Sequence, residues 1–243
     1  PVRRTRLSLR LSHERPLRIS HISRLFDQWH EVYVTVEEGA PDADAMERME
    51  WEPGASAWPL PAMRFINAAG TEAICVQNGR FDIEWTFPDA TGEGSYPGYA
   101  VLENELSTRF EEFRNALRIH GFDVSLVGSE CRYENPLVGY APGEAAVGLL
   151  TGWTGGPAGH LPEQGYVGVR LHACADPERH SCTSYIALDG DTNEVPVLSI
   201  SVIRDDEGGD AALGGLSEAH DELIDLFWSF TSSEQRNDWG VQG

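Results

Sequence analysis

The chain contains no lysine: all 18 of its basic residues are arginine, set against 39 acids in 243 residues, for a formal net charge of −21. Every cation is therefore a permanently charged, planar, bidentate fork. Base composition accounts for such a bias, and a chain without lysine also escapes modification on lysine side chains. Long apolar runs are missing too. Nothing approaches the roughly 18 to 20 residues that a membrane-spanning helix needs, and no apolar signal-peptide core follows the basic start at Pro1–Arg6. The expected location is cytoplasmic, with no membrane partner. Cysteine is scarce: Cys75, Cys131, Cys174 and Cys182 form no CxxC pair, so reduced thiols are expected rather than a disulfide scaffold. There is no GxSxG elbow, no phosphate loop and no dinucleotide fingerprint, so the sequence offers no positive case for an enzyme.

What is present is an uneven charge. Residues 1–24 hold seven Arg against Glu14 alone, a charge of +6, and the other 219 residues carry −27. Such a body repels polyanions over a Debye length of about 8 Å at physiological salt, which excludes ordinary nucleic-acid binding. It suits a protein partner with a basic surface instead. The basic N-terminal segment is expected to pair with the acidic body. Aromatic anchors for a partner are Trp51 and Trp58, in the acidic, proline-bearing stretch 37–61, and Trp153, in the glycine-rich stretch 139–165; the alternative is that they cover the core. Oligomeric state is not legible.

Periodicity gives an α+β protein. Thr5, Leu7, Leu9 and Leu11 alternate with Arg4, Arg6, Ser8 and Arg10, a strand with one buried and one arginine-rich face. A helix is expected from Ser20, with Ile22, Leu25, Phe26, Trp29 and Val32 on one side, and 37–61 reads as a loop. Strands follow at 63–68, 73–77 and 80–87, the last two joined by Asn78-Gly79, the strongest hairpin signal in the chain. Tyr99, Leu102, Leu106, Phe110, Phe113 and Leu117 define a long amphipathic helix over 98–120, stopped by Gly121. A strand is read at 122–133, then the Gly/Pro-rich connection 139–165, strands at 166–173, 183–188 and 195–203, and a helix at 217–230. The expected architecture is antiparallel sheet with amphipathic helices packed on one face, as a pseudo-duplicated strand-run-plus-helix unit. Its N-terminal half is 1–138 and its C-terminal half 166–243, within one compact unit.

One motif has metal-ligand chemistry. His172-x-Cys174 and His180-x-Cys182 flank Asp176-Pro177; a hairpin centred there would set Cys174 opposite His180 and His172 opposite Cys182, a two-thiolate, two-imidazole set compatible with zinc. Against this, same-face neighbours in a flat ladder lie about 7 Å apart and a one-residue slip turns one pair away. The other readings are ordinary hairpin residues, or a cross-strand disulfide if oxidised, and the default is no cofactor. Glu103, Glu105, Glu111 and Glu112 read as a solvated helix face rather than paired catalytic carboxylates. The Asp205-Asp206-Glu207 run lacks the alternating ligands of a calcium loop.

RFDIEW followed by YPGYAVLENELSTRFEEFRNAL, the strand ending CRYENPL, and the C-terminal AHDELIDLFWSFTSSEQRNDWG together resemble a sporadically distributed bacterial family of roughly 250-residue proteins of uncharacterised function. The shared positions are mostly aromatic and architectural, so the resemblance implies no catalytic residues. A scattered distribution implies an accessory role, such as a defence-associated or toxin-neutralising partner. The acidic stretch 37–61 and the His/Cys hairpin depart from that pattern. The expected function is that of a non-enzymatic acidic interaction protein; the alternative is a small-ligand-binding protein or enzyme with a pocket between sheet and helix.

Overall fold

A computed structural model describes residues 3–12, 15–40, 60–87, 96–152, 167–174, 182–190, 195–205, 211–233 and Arg236. Thirteen elements follow one another: β1 (Arg4–Ser12), α1 (Ile19–Trp29), β2 (Tyr33–Gly39), β3 (Ala62–Asn67), β4 (Glu72–Gln77), β5 (Arg80–Thr86), α2 (Tyr99–Ile119), β6 (Ser125–Pro136), α3 (Pro142–Thr151), β7 (Val167–Cys174), β8 (Cys182–Gly190), β9 (Val197–Asp205) and α4 (Ala211–Phe230). The strands form one antiparallel sheet in the order β2-β3-β4-β5-β1-β6-β9-β8-β7.

That order contains the same path twice. In each half a first strand leads to a helix, then a meander whose last strand pairs back on the first, then a second helix. β1 and β6 are those first strands, and they join the halves by pairing with each other, Arg6 opposite Arg132. The halves differ in one respect: the first meander has four strands and the second three, so β2 is an additional strand on the outer edge.

Alternation decides the two faces of the sheet. On β1 the residues Leu7 and Leu9 are fully buried and lie in register with Ile83 and Phe81 of β5 and, for Leu7, Cys131 of β6. Helices cover this face. Phe110 and Phe113 of α2 pack on Phe81 at ring distances of 5.5 and 5.1 Å, Trp29 of α1 packs edge-on to Phe65 at 5.0 Å, and Ala145 and Leu149 of α3 and Leu216 and Leu223 of α4 join the same core. Each fully buried Leu or Phe contributes roughly 1.5–3 kcal/mol of transfer free energy.

Turn chemistry fixes the register. Gly79 has φ 75°, which suits glycine in the Asn-Gly turn, and Asn78 is buried, its Oδ1 accepting from the Leu17 backbone N–H at 2.7 Å. The turn therefore also anchors the chain entering α1.

Four expectations are corrected. The first helix ends at Trp29, so Val32 is outside it, and strand β2 runs from Tyr33 to Gly39, into the stretch 37–61 that reads as a loop. The connection 139–165 contains helix α3: Pro142 occupies the first turn and Gly152, at φ 62°, ends it, so residues taken as linker signals are helix punctuation. The last helix begins at Ala211, through Gly214-Gly215. The strand expected at 122–133 runs from Ser125 to Pro136, carrying three residues further because Asn135 and Pro136 still pair with β9.

Candidate functional site

The face of the sheet opposite the helices is where the charged residues of the central strands collect. Register places Arg4, Arg6, Ser8 and Arg10 of β1 beside Asp82 and Glu84 of β5 and Glu130, Arg132 and Glu134 of β6. Arg80 is the hub. Its Nε donates to Asp82 at 2.6 Å, and one Nη donates to Ser8 Oγ at 2.6 Å and to Glu130 at 2.9 Å; Ser201 of β9 donates to the other Glu130 oxygen at 2.6 Å. Five side chains from four strands are thus tied together, with Arg80 only 6% exposed and Asp82 1%. Buried charges of this kind persist only when paired and hydrogen-bonded on all sides.

The array continues outward. Glu84 is met by Arg64 at 3.0 Å, Arg4 at 3.7 Å and Arg6 at 3.8 Å, and Arg64 also reaches Glu37 at 3.2 Å. Arg10 pairs with Asp205, and Arg132 with Glu134. The arginines of β1 therefore do pair with the acidic body, as expected of them. Electrostatics follow the geometry. Burial opposes ionisation of Glu130, but the Arg80 and Arg6 guanidiniums beside it hold its carboxyl below the usual carboxylate range. At Asp82 burial outweighs the same two arginines and pushes the carboxyl up. Burial, with Glu84 and Asp82 nearby, also pushes the Cys75 thiol up, and burial does the same at Cys131. Both are protonated, poorly nucleophilic thiols. Ser8 accepts from the Arg80 guanidinium and Ser201 donates to the Glu130 carboxylate, and among the described residues no imidazole hydrogen-bonds to either. The array neutralises itself and ties the central strands together.

At one end of this face an open cleft of about 520 Å³ is lined by Arg4, Arg64, Glu37, Glu84, Thr86 and the β3–β4 turn. On the helix side, over the joint between halves, Tyr99 stacks on His220 with ring centroids 4.0 Å apart, Tyr133 lies edge-on to the same imidazole at 6.0 Å, and the Tyr96 and Tyr133 hydroxyls are 3.3 Å apart. Burial pushes the His220 imidazole down, against the opposing pull of Asp221 and Glu103. A third network ties α1, β2, β4 and α2 together: Tyr33 donates to Glu72 at 2.8 Å, Trp29 Nε1 to Glu112 at 2.6 Å, and Arg109 bridges Glu105 and Glu112. The acids of α2 are thus only partly a solvated face: Glu111 is exposed, while Glu105 and Glu112 are committed to this network and Glu103 to Tyr99.

The residues singled out from sequence fare unevenly. Trp51, Trp58, Trp153 and His180 lie outside the described residues. His172, Cys174 and Cys182 are on β7 and β8, but not in the register that the metal reading assumed. His172 stands opposite Tyr185 and Cys174 opposite Thr183, while Cys182 stands opposite Arg204 of β9. The actual offset differs from the assumed one by three residues, an odd number, so backbone positions 174 and 182 are out of phase in the ladder. That ladder differs from the one that a hairpin centred on Asp176-Pro177 would give. Among the described residues, no group of three or more His, Cys, Asp or Glu is placed to hold a metal ion. The Arg80 hub was missed. Its signal was present, as Arg80-x-Asp82-x-Glu84 alternates beside an Asn-Gly turn, but alternation alone does not tell a solvated face from an ion-paired one.

Fold and site together define a two-layer α+β protein whose central strands are buried on both faces, by apolar packing on one and by ion pairs on the other. The chain matches no family model, and no curated protein is significantly similar to it.

Proposed function

We propose that the protein is a non-catalytic acidic interaction protein that binds a partner with a basic surface. The observation that carries this is how charge divides along the chain. The described residues hold 16 Arg and 21 acids, and nine of these arginines are ion-paired with ten of these acids; the remaining segments hold 2 Arg and 18 acids. The surplus negative charge thus lies in the stretches between the elements, above all 41–59, which also carries Trp51 and Trp58. Fixed acid beside large aromatic side chains favours fast, salt-sensitive association with a cationic protein. Trp51, Trp58 and Trp153 are the anchors in this reading.

The test is recovery of the tagged protein from its native host at low salt. The expected result is a basic protein that co-purifies and dissociates as salt is raised. A neutral or acidic partner, no partner, or retention indifferent to salt overturns the proposal.

The second reading, a small-ligand binder, is favoured by one observation, the 520 Å³ cleft on the open face. Its position differs from the pocket expected between sheet and helix, where the layer is filled by fully buried side chains such as Leu7, Leu106 and Phe113. Binding to a library of small polar metabolites that is lost on Arg64→Ala or Thr35→Trp supports this reading; binding unaffected by both removes it.

A further inference from the structure

β2 is the strand that the second half lacks, and it is one of the two edge strands of the nine, β7 being the other. It is exposed to an unusual degree. Tyr33 is buried, but every residue from Val34 to Gly39 is exposed, with Val34 at 58% and Val36 at 39%, and Val32 just before it at 46%. An edge strand presents alternate N–H and C=O groups that have no partner, and proteins usually guard such edges with lysine, proline, a bulge or covering chain. Here there is a register shift between Tyr33 and Thr35, but from Thr35 to Gly39 the pairing to β3 is regular. The residues along it are Thr-Val-Glu-Glu-Gly, with no proline and no cation. Among the described residues nothing pairs with its outer side.

The side chains say what would fit. Exposed valines alternate with polar positions, which suits an apolar side chain at every second residue of an added strand. Glu31 and Glu38 carry no ion pair among the described residues, and Glu37 is satisfied only by Arg64 at 3.2 Å. The added strand should therefore carry arginine or lysine between its apolar residues. A second copy of this chain is a poor occupant: antiparallel pairing of β2 with itself brings Glu37 and Glu38 of two copies onto one short ladder, and each copy carries a charge of −21.

We propose that β2 is a docking edge at which a cationic partner adds an extended segment of alternating apolar and basic residues to the sheet. This rests on the reading of the protein as an acidic interaction protein and names how part of the partner would be held. Main-chain hydrogen bonds supply affinity in this mode, and the side chains supply selectivity.

The probe is a short peptide of alternating Arg and Val, compared with the same peptide N-methylated at alternate residues on its hydrogen-bonding side and with the corresponding Glu/Val peptide. Binding to the full chain is measured by fluorescence anisotropy and amide hydrogen exchange. The expected result is that the Arg/Val peptide binds, slows exchange at residues 34–39, and loses about tenfold or more in affinity on N-methylation, with no binding by the Glu/Val peptide. A Thr35→Pro variant, checked by its melting temperature, should lose the same factor; where it proves unstable, the N-methylated peptide alone decides. Equal binding with and without N-methylation overturns the edge proposal but leaves the acidic-partner reading standing. No binding by any cationic peptide counts against both. Protection in the free protein of the outward-facing β2 amides, those not bonded to β3, or concentration-dependent self-association through β2, also overturns it.

Discussion

The strand-and-helix framework and the segments between its elements are built from the same twenty-letter stock, less lysine, yet they use charge in opposite ways. In the framework, arginine and acid are nearly balanced and are brought into contact: Arg80 with Asp82 and Glu130, Arg64 with Glu37 and Glu84, Arg109 with Glu105 and Glu112, Arg204 with Glu222 at 2.9 Å. In the other segments 18 acids face 2 arginines. Paired charge near the centre of a sheet fixes which strands meet and where. Acid in such excess over arginine leaves a net negative charge that attracts cations. A total of −21 conceals this division, because the framework alone is close to neutral.

Breaking the framework's hub should produce the largest effect. Arg80→Met leaves Asp82 and Glu130 buried without the guanidinium that hydrogen-bonds both, and a loss of about 3–5 kcal/mol is expected in chemical denaturation. Replacing Arg80, Asp82 and Glu130 together by apolar residues of similar volume should recover most of it; if the triple variant is as unstable as the single one, the hub does more than neutralise itself. On the other face of the same strands, Leu9→Ala should cost about 2–5 kcal/mol through the cavity it leaves, and a double-mutant cycle with Arg80→Met reports whether the two faces act independently.

A smaller loss is expected from Gly128→Ala. An added Cβ there would sit 2.4 Å from the Arg204 carbonyl oxygen on β9, so the β6–β9 ladder must shift; a melting temperature equal to wild type would show that the strands have more freedom than this approach implies.

Acidification tests the helix side. His21 and His220 both titrate below their ordinary 6.5, each mainly through burial. Because the unfolded chain takes up these protons first, stability should fall as pH drops below about 6.5, and His220→Phe should flatten that slope by removing one of the two groups. Glu130 acts at lower pH. With its folded value depressed, its contribution is intact above the ordinary carboxylate range and is lost as pH falls through the folded value.

Much of the framework was legible from periodicity, for identifiable reasons. β1 reads correctly because three leucines alternate with arginine and serine, and α2 because six apolar residues keep helical spacing for 19 residues, from Tyr99 to Leu117. β2 was not legible, because an edge strand with both faces exposed has no buried stripe to reveal it. α3 was hidden by Pro142, Gly143, Gly148 and Gly152, residue types that mark loops and helix ends alike. Local sequence does not specify the pairing register of β7 with β8: the ladder sets Cys174 opposite Thr183, three residues from the register in which parity puts Cys174 and Cys182 on one face. Pairing across β5, β1, β6 and β9 joins residues more than 120 positions apart in the chain, from Arg80 to Ser201, so the hub could not emerge from any local window.

The most direct test of the division between framework and segments is a variant carrying Asp42→Asn, Asp44→Asn, Glu47→Gln, Glu50→Gln and Glu52→Gln, assayed for recovery of the basic partner from the native host at low salt. The account predicts that the partner is lost while the melting temperature stays at the wild-type value. Full retention of the partner by this variant would contradict it.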